Sequence, residues 1–452
     1  MRKIIYILLM LGLCRCGVYK KYERPAINNL DSLYINTSSG DTNSLATLSW
    51  RELFQDPLLQ QLIETGIHNN TDLQVARLKI TEAEALLKSS KLAYLPSVSL
   101  NPQGTINATE NQSPTKTYDL AVSADWEIDI FGKQTNIKRD KKAILQQYQA
   151  YQQAVQTQLI ATIANSYYML LMLDRQLEIS RETAATWTEN LRVMKALKKA
   201  GQANEMAVAQ TEANKLSVEA SILTLEQQIQ EIELSITALL KESPHPIKRT
   251  SLQQQQFPDT LSTGIPLQLL NARPDIRQKE AELAAAFYVT NQARSTFYPA
   301  ITLGGALGWT NTAGGAISNP GQWLFTAIGN LVQPIFNRGE ISANLKVAKA
   351  QQEQALLAFQ QCLLDAGVEV NNALIQWQTA RKRITLNQKQ IQSLQNALED
   401  CELLMENSSL NYLEVLTARQ TLLQAELAAV TDRFDEIQGV INLYHALGGG
   451  YE

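Results

Sequence analysis

The sequence predicts an α+β chain built from an internal two-fold repeat, each copy supplying two strands and one long helical hairpin. Three observations carry this. Residues 72–100 align on residues 275–303 without a gap at an offset of 203, so that Asp72 meets Asp275, Ala83 meets Ala286, and Tyr94-Leu95-Pro96 meets Phe297-Tyr298-Pro299. From Lys133 to Lys199 there is neither Pro nor Gly, and a continuous helix of that length would reach about 100 Å at 1.5 Å per residue. Residues 97–107 and 118–129 alternate apolar with polar side chains, the period of a strand with two unlike faces.

Composition narrows the function classes. The chain has 452 residues, 45% hydrophobic and 19% charged, enough to bury substantial apolar surface. Forty Lys+Arg against 44 Asp+Glu leave a formal charge of -4, with no dense basic block, which argues against nucleic acid as a partner. His68, His245 and His445 are far apart and lack neighbours at metal-ligand spacing, which excludes a histidine-rich metal centre. There is no phosphate-binding glycine loop, zinc motif or nucleophile-base constellation, so neither an enzyme nor a cofactor is expected.

Taken in order, residues 1–15 read as a secretion leader. Two basic residues precede an apolar run from Ile4 to Leu13 that is too short to span a bilayer, and cysteine follows. Cys16 is read as an acylated N-terminus, with Cys14, after Leu11-Gly12-Leu13, as the alternative and plain cleavage as the simpler case. One acyl chain binds a membrane weakly, so firm attachment needs further contacts. An extended segment spans 16–49, the first repeat 50–245, a linker 246–268, the second repeat 269–447 and a short tail 448–452. In the first repeat the helix from Lys133 is interrupted at Gly201 and resumes from Glu205 to Leu240. In the second, Glu340 to Met405 is followed by Asn407-Ser408-Ser409 and a helix from near Tyr412, with Gly367 the one strong helix-weakening residue inside the long run. Each pair reads as a hairpin with its tip near 201 or 408. Stretches such as Gln149-Ala150-Tyr151-Gln152-Gln153 suit helix packing beside water better than lipid. Cys362 and Cys401 are expected as buried free thiols, because a disulfide would need a helical pair to bring their Cα atoms within about 7 Å.

The strands separate a pore from a solvent-facing coiled coil. In 97–107, Val98, Leu100 and Ile106 oppose Ser97, Ser99, Asn101, Gln103, Thr105 and Asn107; in 118–129, Tyr118, Leu120, Val122, Ala124, Trp126 and Ile128 oppose a face carrying Asp119, Asp125, Glu127 and Asp129. Such strands fit a wall with lipid on one side and water on the other. The second copy offers Ile301, Leu303, Leu307 and Trp309, then a less regular stretch from Trp323 to Gln333, with Trp309, Trp323 and Phe325 available for an interfacial girdle. Four strands cannot close a membrane barrel, and open edges are not tolerated in hydrocarbon, so a spanning chain must oligomerise. Two copies would give eight strands and three would give twelve, and spacing alone does not choose between them.

Several landmarks now fall into one order: Tyr22-Glu23-Arg24-Pro25, Trp50-Arg51-Glu52-Leu53-Phe54-Gln55-Asp56-Pro57-Leu58, Asn70-Thr71-Asp72-Leu73, Tyr94-Leu95-Pro96, Trp126-Glu127-Ile128-Asp129-Ile130-Phe131-Gly132, Ala272-Arg273-Pro274-Asp275-Ile276 and Pro334-Ile335-Phe336. With them the chain resembles the outer-membrane efflux protein family, the TolC-like outer membrane factors, in its lipidated multidrug-efflux branch. The resemblance implies a homotrimer with a twelve-stranded outer-membrane barrel and a helical periplasmic tunnel, docked to a periplasmic adaptor and driven by an inner-membrane efflux transporter. It implies passive conduction of small molecules from the bacterial periplasm to the exterior. Type I protein secretion through the same kind of conduit, and a non-conducting scaffold lipoprotein, are the competing readings; the lipid site and the first two landmarks favour small-molecule efflux.

Expected site residues follow. Asp119, Asp125, Glu127 and Asp129 are lumen candidates. Near the second tip the family often has Val-Leu-Asp-Ala-Gln-Arg, whereas this chain has Val415-Leu416-Thr417-Ala418-Arg419-Gln420, so a family-style acid/base latch is replaced. Thr417 and Arg419, with Asp400, Glu402 and Glu406, are the gate candidates. The tips, represented by Gly201, Asn204, Ser408, Ser409 and Asn411, are the candidate adaptor contacts.

Overall fold

The computed structural model describes residues 19, 21–25, 48–110, 112–257, 273–311, 322–406 and 412–450, without the side chains at 402, 405, 406, 412 and 413. The duplication is visible in element lengths. The first copy contains α1 (Trp50–Leu53), α2 (Pro57–Asn69), α3 (Thr71–Leu92), β1 (Ser97–Asn107), β2 (Thr115–Ile128), α4 (Lys133–Lys199) and α5 (Glu205–Leu239). The second contains α6 (Pro274–Ser295), β3 (Ala300–Thr310), β4 (Gln322–Val332), α7 (Glu340–Glu406) and α8 (Tyr412–Ala446). Both long helices have 67 residues, both partners 35, and α3 and α6 have 22 each, so one hairpin geometry was copied whole. Helix α7 runs through Gly367 without a break, where one glycine costs only about 1 kcal/mol against the many residues that favour helix. No helix among the described residues is long and apolar enough to cross a membrane.

Chain contacts divide the protein into two compact units that cut across the repeats. The first comprises residues 1–27, 78–150 and 277–361 and holds the sheet. Its strands form one antiparallel sheet in the order β1-β2-β3-β4. Beside the sheet, small residues let helices approach: Ala143, Ala150, Ala281 and Ala285 are buried, and Thr290 donates its hydroxyl to the Ala348 carbonyl at 3.1 Å. The segment around Tyr22 is held there by an edge-on contact with Phe287 at 5.7 Å and by Arg24, which pairs with Glu280 and lies over the Phe359 ring.

The second unit comprises residues 28–77, 151–276 and 362–452 and contains the large apolar core. Ser49 and Glu52 form a capping box on α1, and Asp56 with Pro57 starts α2. Trp50, Leu59 and Ile63 from these helices and Phe54 between them pack with Ile160, Ile163, Tyr167 and Leu170 of α4 and Ile437, Ile441 and Tyr444 of α8. Gly66 allows a close approach: a Cβ there would stand 2.5 Å from Cδ1 of Ile163. Within this core Asp56 accepts hydrogen bonds from Tyr167 at 2.7 Å and from Thr250 and Gln255. Burial alone would raise the Asp56 carboxyl, but these bonds and the Leu58 N–H hold it below the ordinary carboxylate range, while burial pushes Tyr167 up to about 12.

The structure departs from the sequence reading in four places. β2 begins earlier, at Thr115, and ends at Ile128, so Asp129 lies outside it. The stretch after Trp323 is a regular strand, β4, paired with β3 along its whole length, because ladder pairing overrides its irregular hydrophobic pattern. Helix α5 stops one residue short of Leu240. Cys362 and Cys401 form no disulfide and are half-buried rather than buried, and both sit on α7, 39 residues apart, or about 58 Å along the helix.

Candidate functional site

The register assigns every strand residue to one of two faces. On one, Val98, Leu100 and Ile106 of β1 align with Leu120, Val122 and Trp126 of β2, Leu303, Leu307 and Trp309 of β3, and Trp323, Phe325 and Leu331 of β4. Eleven of these twelve side chains, all but Trp309, are exposed in the single chain, and Trp309 meets Trp323 with ring centroids 5.0 Å apart. Each such side chain gains roughly 1.5–3 kcal/mol on leaving water, so this face is built for hydrocarbon contact.

The opposite face is polar on β1 and β2. Ser99 and Ser123 share a hydrogen bond of 2.8 Å, and Asn101 donates to both hydroxyls. Asp119 accepts from the Thr310 hydroxyl. Asp125 stands opposite Gly304, where a Cβ would come within 3.1 Å of its Oδ1. Glu127 is joined by Lys133 at 2.9 Å. Three of the four expected lumen acids therefore share this face. Asp129 does not: its carboxylate accepts from the Gln134 and Thr135 N–H groups at 2.9 and 2.8 Å and from the Thr135 hydroxyl, so it caps the start of α4. The acidic row also carries a positive charge, Lys133, that strand alternation does not reveal. Its position six residues after Glu127, across a turn, was the available signal. On β3 and β4 the same face is small or mixed, with Gly304, Ala306 and Gly308 beside Leu324, Thr326 and Ile328.

The ladder leaves one edge of β1 and one edge of β4 without a partner strand among the described residues. An apolar face directed to lipid cannot coexist with such edges unless another chain pairs with them.

At the first hairpin tip, Gly201 adopts a φ of 75° and ends α4 in a Schellman-like turn, the Gln202 N–H reaching the Leu197 carbonyl at 2.9 Å. Asn204 caps α5 by accepting from the Ala207 N–H. Leu191, Met194 and Val208 pack beneath, while Gly201, Asn204 and Met206 are exposed. Cys16, Ser408, Ser409 and Asn411 lie outside the described residues, as do the side chains of Glu402 and Glu406. Asp400 is exposed on α7. On α8, Val415 and Leu416 are buried, Thr417 is exposed and Arg419 half-buried. Thr417 and Arg419, two residues apart on one helix, do not share a face.

The comparisons with known proteins decide the family. The family model described as outer membrane efflux protein matches residues 62–241 and 265–449. The chain belongs to the outer membrane efflux protein family. It is 26% identical over 459 residues to the cation efflux system protein CusC of Escherichia coli O6:H1, covering 100% of this chain and 99% of that protein. It is 28% identical to the probable outer membrane lipoprotein SilC of Salmonella typhimurium, covering 95% of each. The solved outer-membrane channel OprN superposes with a TM-score of 0.88 at 25% identity, covering 96% of this chain and 100% of that one. The fold is thus that of the trimeric outer-membrane channels, four strands per chain for the barrel and long helices for the periplasmic part, and the protein is an outer-membrane component of an efflux system. The family is one of channels rather than enzymes.

Proposed function

We propose that three copies close a twelve-stranded barrel whose lumen is lined by Asp119, Asp125 and Glu127, and that solutes pass through it passively from a periplasmic adaptor and an inner-membrane transporter. One observation carries this: a four-stranded sheet with an exposed apolar face, a polar acidic face and two edges that have no partner strand among the described residues. Such a sheet has a stable place only in a closed wall between lipid and water. The carboxylates bias the lumen toward cationic solutes without forming a selective pocket, in keeping with the cation efflux named for CusC.

The remaining assignments are part of the same reading. Asp129 couples the strand to the helical tunnel as a cap. Asp400, Glu402, Glu406, Thr417 and Arg419 line the constriction, with the pair on α8 acting on different faces. The tips at Gly201 and Asn204, and at Ser408, Ser409 and Asn411, meet the adaptor. Residues 1–15 are the leader, and 50–245 and 269–447 are the two repeats. Cys16 carries the acyl anchor: Tyr19 packs against Gly132, whose Cβ position is 3.2 Å from the ring, at the strand-to-helix turn. Three residues of chain span at most about 10 Å, which keeps the anchor near the strand ends.

The test is planar-bilayer conductance of the purified full-length protein, recorded with its mass in detergent. A trimer with discrete conductance is expected. A monomer, or a trimer that stays silent when the tip acids and tips are substituted, would favour the scaffold reading.

A further inference from the structure

The charges of α4 are concentrated at its sheet end. Among residues 133–142, Lys133, Lys138, Arg139, Lys141 and Lys142 are basic against the single acid Asp140, and the next charged residue along the helix is Asp174. Residues 143–173 meet their surroundings with Gln, Asn, Thr and Ser alone as polar groups besides tyrosine, so exposure to water does not by itself call for the cluster. Three of the five cations are engaged inside the chain: Lys133 pairs with Glu127 at 2.9 Å, Lys141 with Asp140 at 3.0 Å, and Lys138 lies over the Tyr94 ring at 4.9 Å. Arg139 and Lys142 form no ion pair among the described residues and instead line a cavity of about 590 Å³ between α4 and α6, together with Tyr22, Gln146 and Arg277. The carboxylate in its wall, Glu280, already pairs with Arg24 at 3.5 Å.

The second copy puts cations at the same level. Arg139 and Lys142 stand six and nine residues after Lys133, the start of α4, and Lys346 and Lys349 stand six and nine residues after Glu340, the start of α7. Helix α6 ties the two levels together, because Tyr288 meets the Arg139 guanidinium at 6.0 Å and Thr290, two residues on, meets the Ala348 carbonyl. Lys142, Lys346 and Lys349 are exposed. A basic pair repeated at one level suits a layer of negative charge better than a single soluble ligand.

We propose that these pairs bind the headgroup phosphates of anionic phospholipids in the periplasmic leaflet, and that the cavity between α4 and α6 seats one headgroup against Arg139 and Lys142. The planar guanidinium matches phosphate oxygens, and Lys142 adds a mobile point charge. Helical side chains lean toward the N-terminus of their own helix, and in α4 and α7 that end adjoins the sheet. Arg139 lies about 9 Å along α4, and the headgroup layer flanking the hydrocarbon is about 5–8 Å deep, a gap that long basic side chains cross by extending toward the interface. Tyr19 packs at Gly132 and Tyr22, three residues on, walls the cavity; a segment tethered to lipid at Cys16 runs outside the tunnel, so the cavity opens on the lipid side. This rests on the membrane-standing sheet and the acyl anchor described above.

The experiment is native mass spectrometry of the full-length oligomer in detergent, with phosphatidylglycerol, phosphatidylcholine or inorganic phosphate added in turn. A basic residue beside an anionic surface is worth roughly fivefold in affinity. Phosphatidylglycerol is therefore expected to be retained about fivefold or more over phosphatidylcholine, and Arg139→Gln with Lys142→Gln to weaken it roughly 25-fold. Lys346→Gln with Lys349→Gln should remove a second set of bound lipids and leave the first, while Lys195→Gln with Lys198→Gln, at the far end of α4, should change neither. If a double variant does not assemble, Lys142→Gln and Lys349→Gln alone should each cost roughly fivefold. Equal retention of the two lipids, or an equal loss from the Lys195 and Lys198 substitutions, would overturn the proposal. So would inorganic phosphate bound through Arg139 and Lys142 with neither lipid preferred. A monomeric mass for the unsubstituted protein would remove the barrel itself, whereas a trimer without lipid preference removes only this site.

Discussion

Asp125 offers a direct measure of whether the acidic face lines a water-filled lumen. It is exposed on the polar face of β2, between Ser97 of β1 and Gly304 of β3. Twelve strands spaced about 4.8 Å apart and tilted about 40° give a wall radius of about 12 Å, so the carboxylate sits roughly 10 Å from the axis. At about 0.1 M salt the Debye length is about 10 Å, and in water each carboxylate contributes about 0.15 kcal/mol for a monovalent ion on the axis. Three symmetric copies contribute about 0.5 kcal/mol, close to RT, which roughly doubles the local cation concentration and halves that of anions. Asp125→Asn should therefore lower the cation-to-anion permeability ratio about fourfold, read as a shift of reversal potential across a KCl gradient in open single channels. Lys133→Met, which removes the cation beside Glu127, should raise the ratio by a similar factor. Both effects should vanish near 1 M salt, where screening acts over about 3 Å. An unchanged or increased ratio for Asp125→Asn at low salt would refute the placement of this face in the lumen.

Three further outcomes follow from the geometry. Gly66→Ala places a Cβ 2.5 Å from Ile163 Cδ1 and should cost about 1–3 kcal/mol in urea unfolding, with Ile163→Ala recovering part of the loss in a double-mutant cycle. Asp129→Ala should cost about 1–2 kcal/mol through the lost cap on α4, whereas Asp129→Asn should cost much less; equal losses would implicate the charge instead. Burial and the Arg273 guanidinium hold the His445 imidazole below the ordinary histidine range, against the pull of Glu369 and Asp275. Its contribution is then full above about pH 6.5 and is lost as pH falls toward the lower folded value, so His445→Gln should flatten thermal stability across that acid window.

The elements were legible in the sequence to different degrees for physical reasons. Helix α4 could be bounded at Lys133 and Lys199 because its interior lacks helix breakers, Asp-Ile-Phe-Gly precedes it and Gly201 follows it. β1 could be bounded because its two faces differ in every pair. β4 was obscured because Leu324, Ile328 and Val332 fall on its more polar side, and a strand with apolar residues on both faces has no clean period. Asp129 looked like a fourth member of the acidic row because parity alone cannot say where a strand stops and a cap begins.

The sequence by itself determined the duplication, the order of elements along the chain, the two unlike faces of β1 and β2 and the need of any spanning sheet for partner chains, since all of these follow from spacing along one chain. The tertiary structure decided the rest: the strand order β1-β2-β3-β4, the pairing of Glu127 with Lys133, and the meeting of Asp56 with Tyr167, Thr250 and Gln255. The last joins residues up to 199 positions apart. Periodicity assigns a side chain to a face of its own element, but which groups then meet depends on pairing and packing between elements, where hydrogen bonds and close contacts select one arrangement among many that the same periods allow.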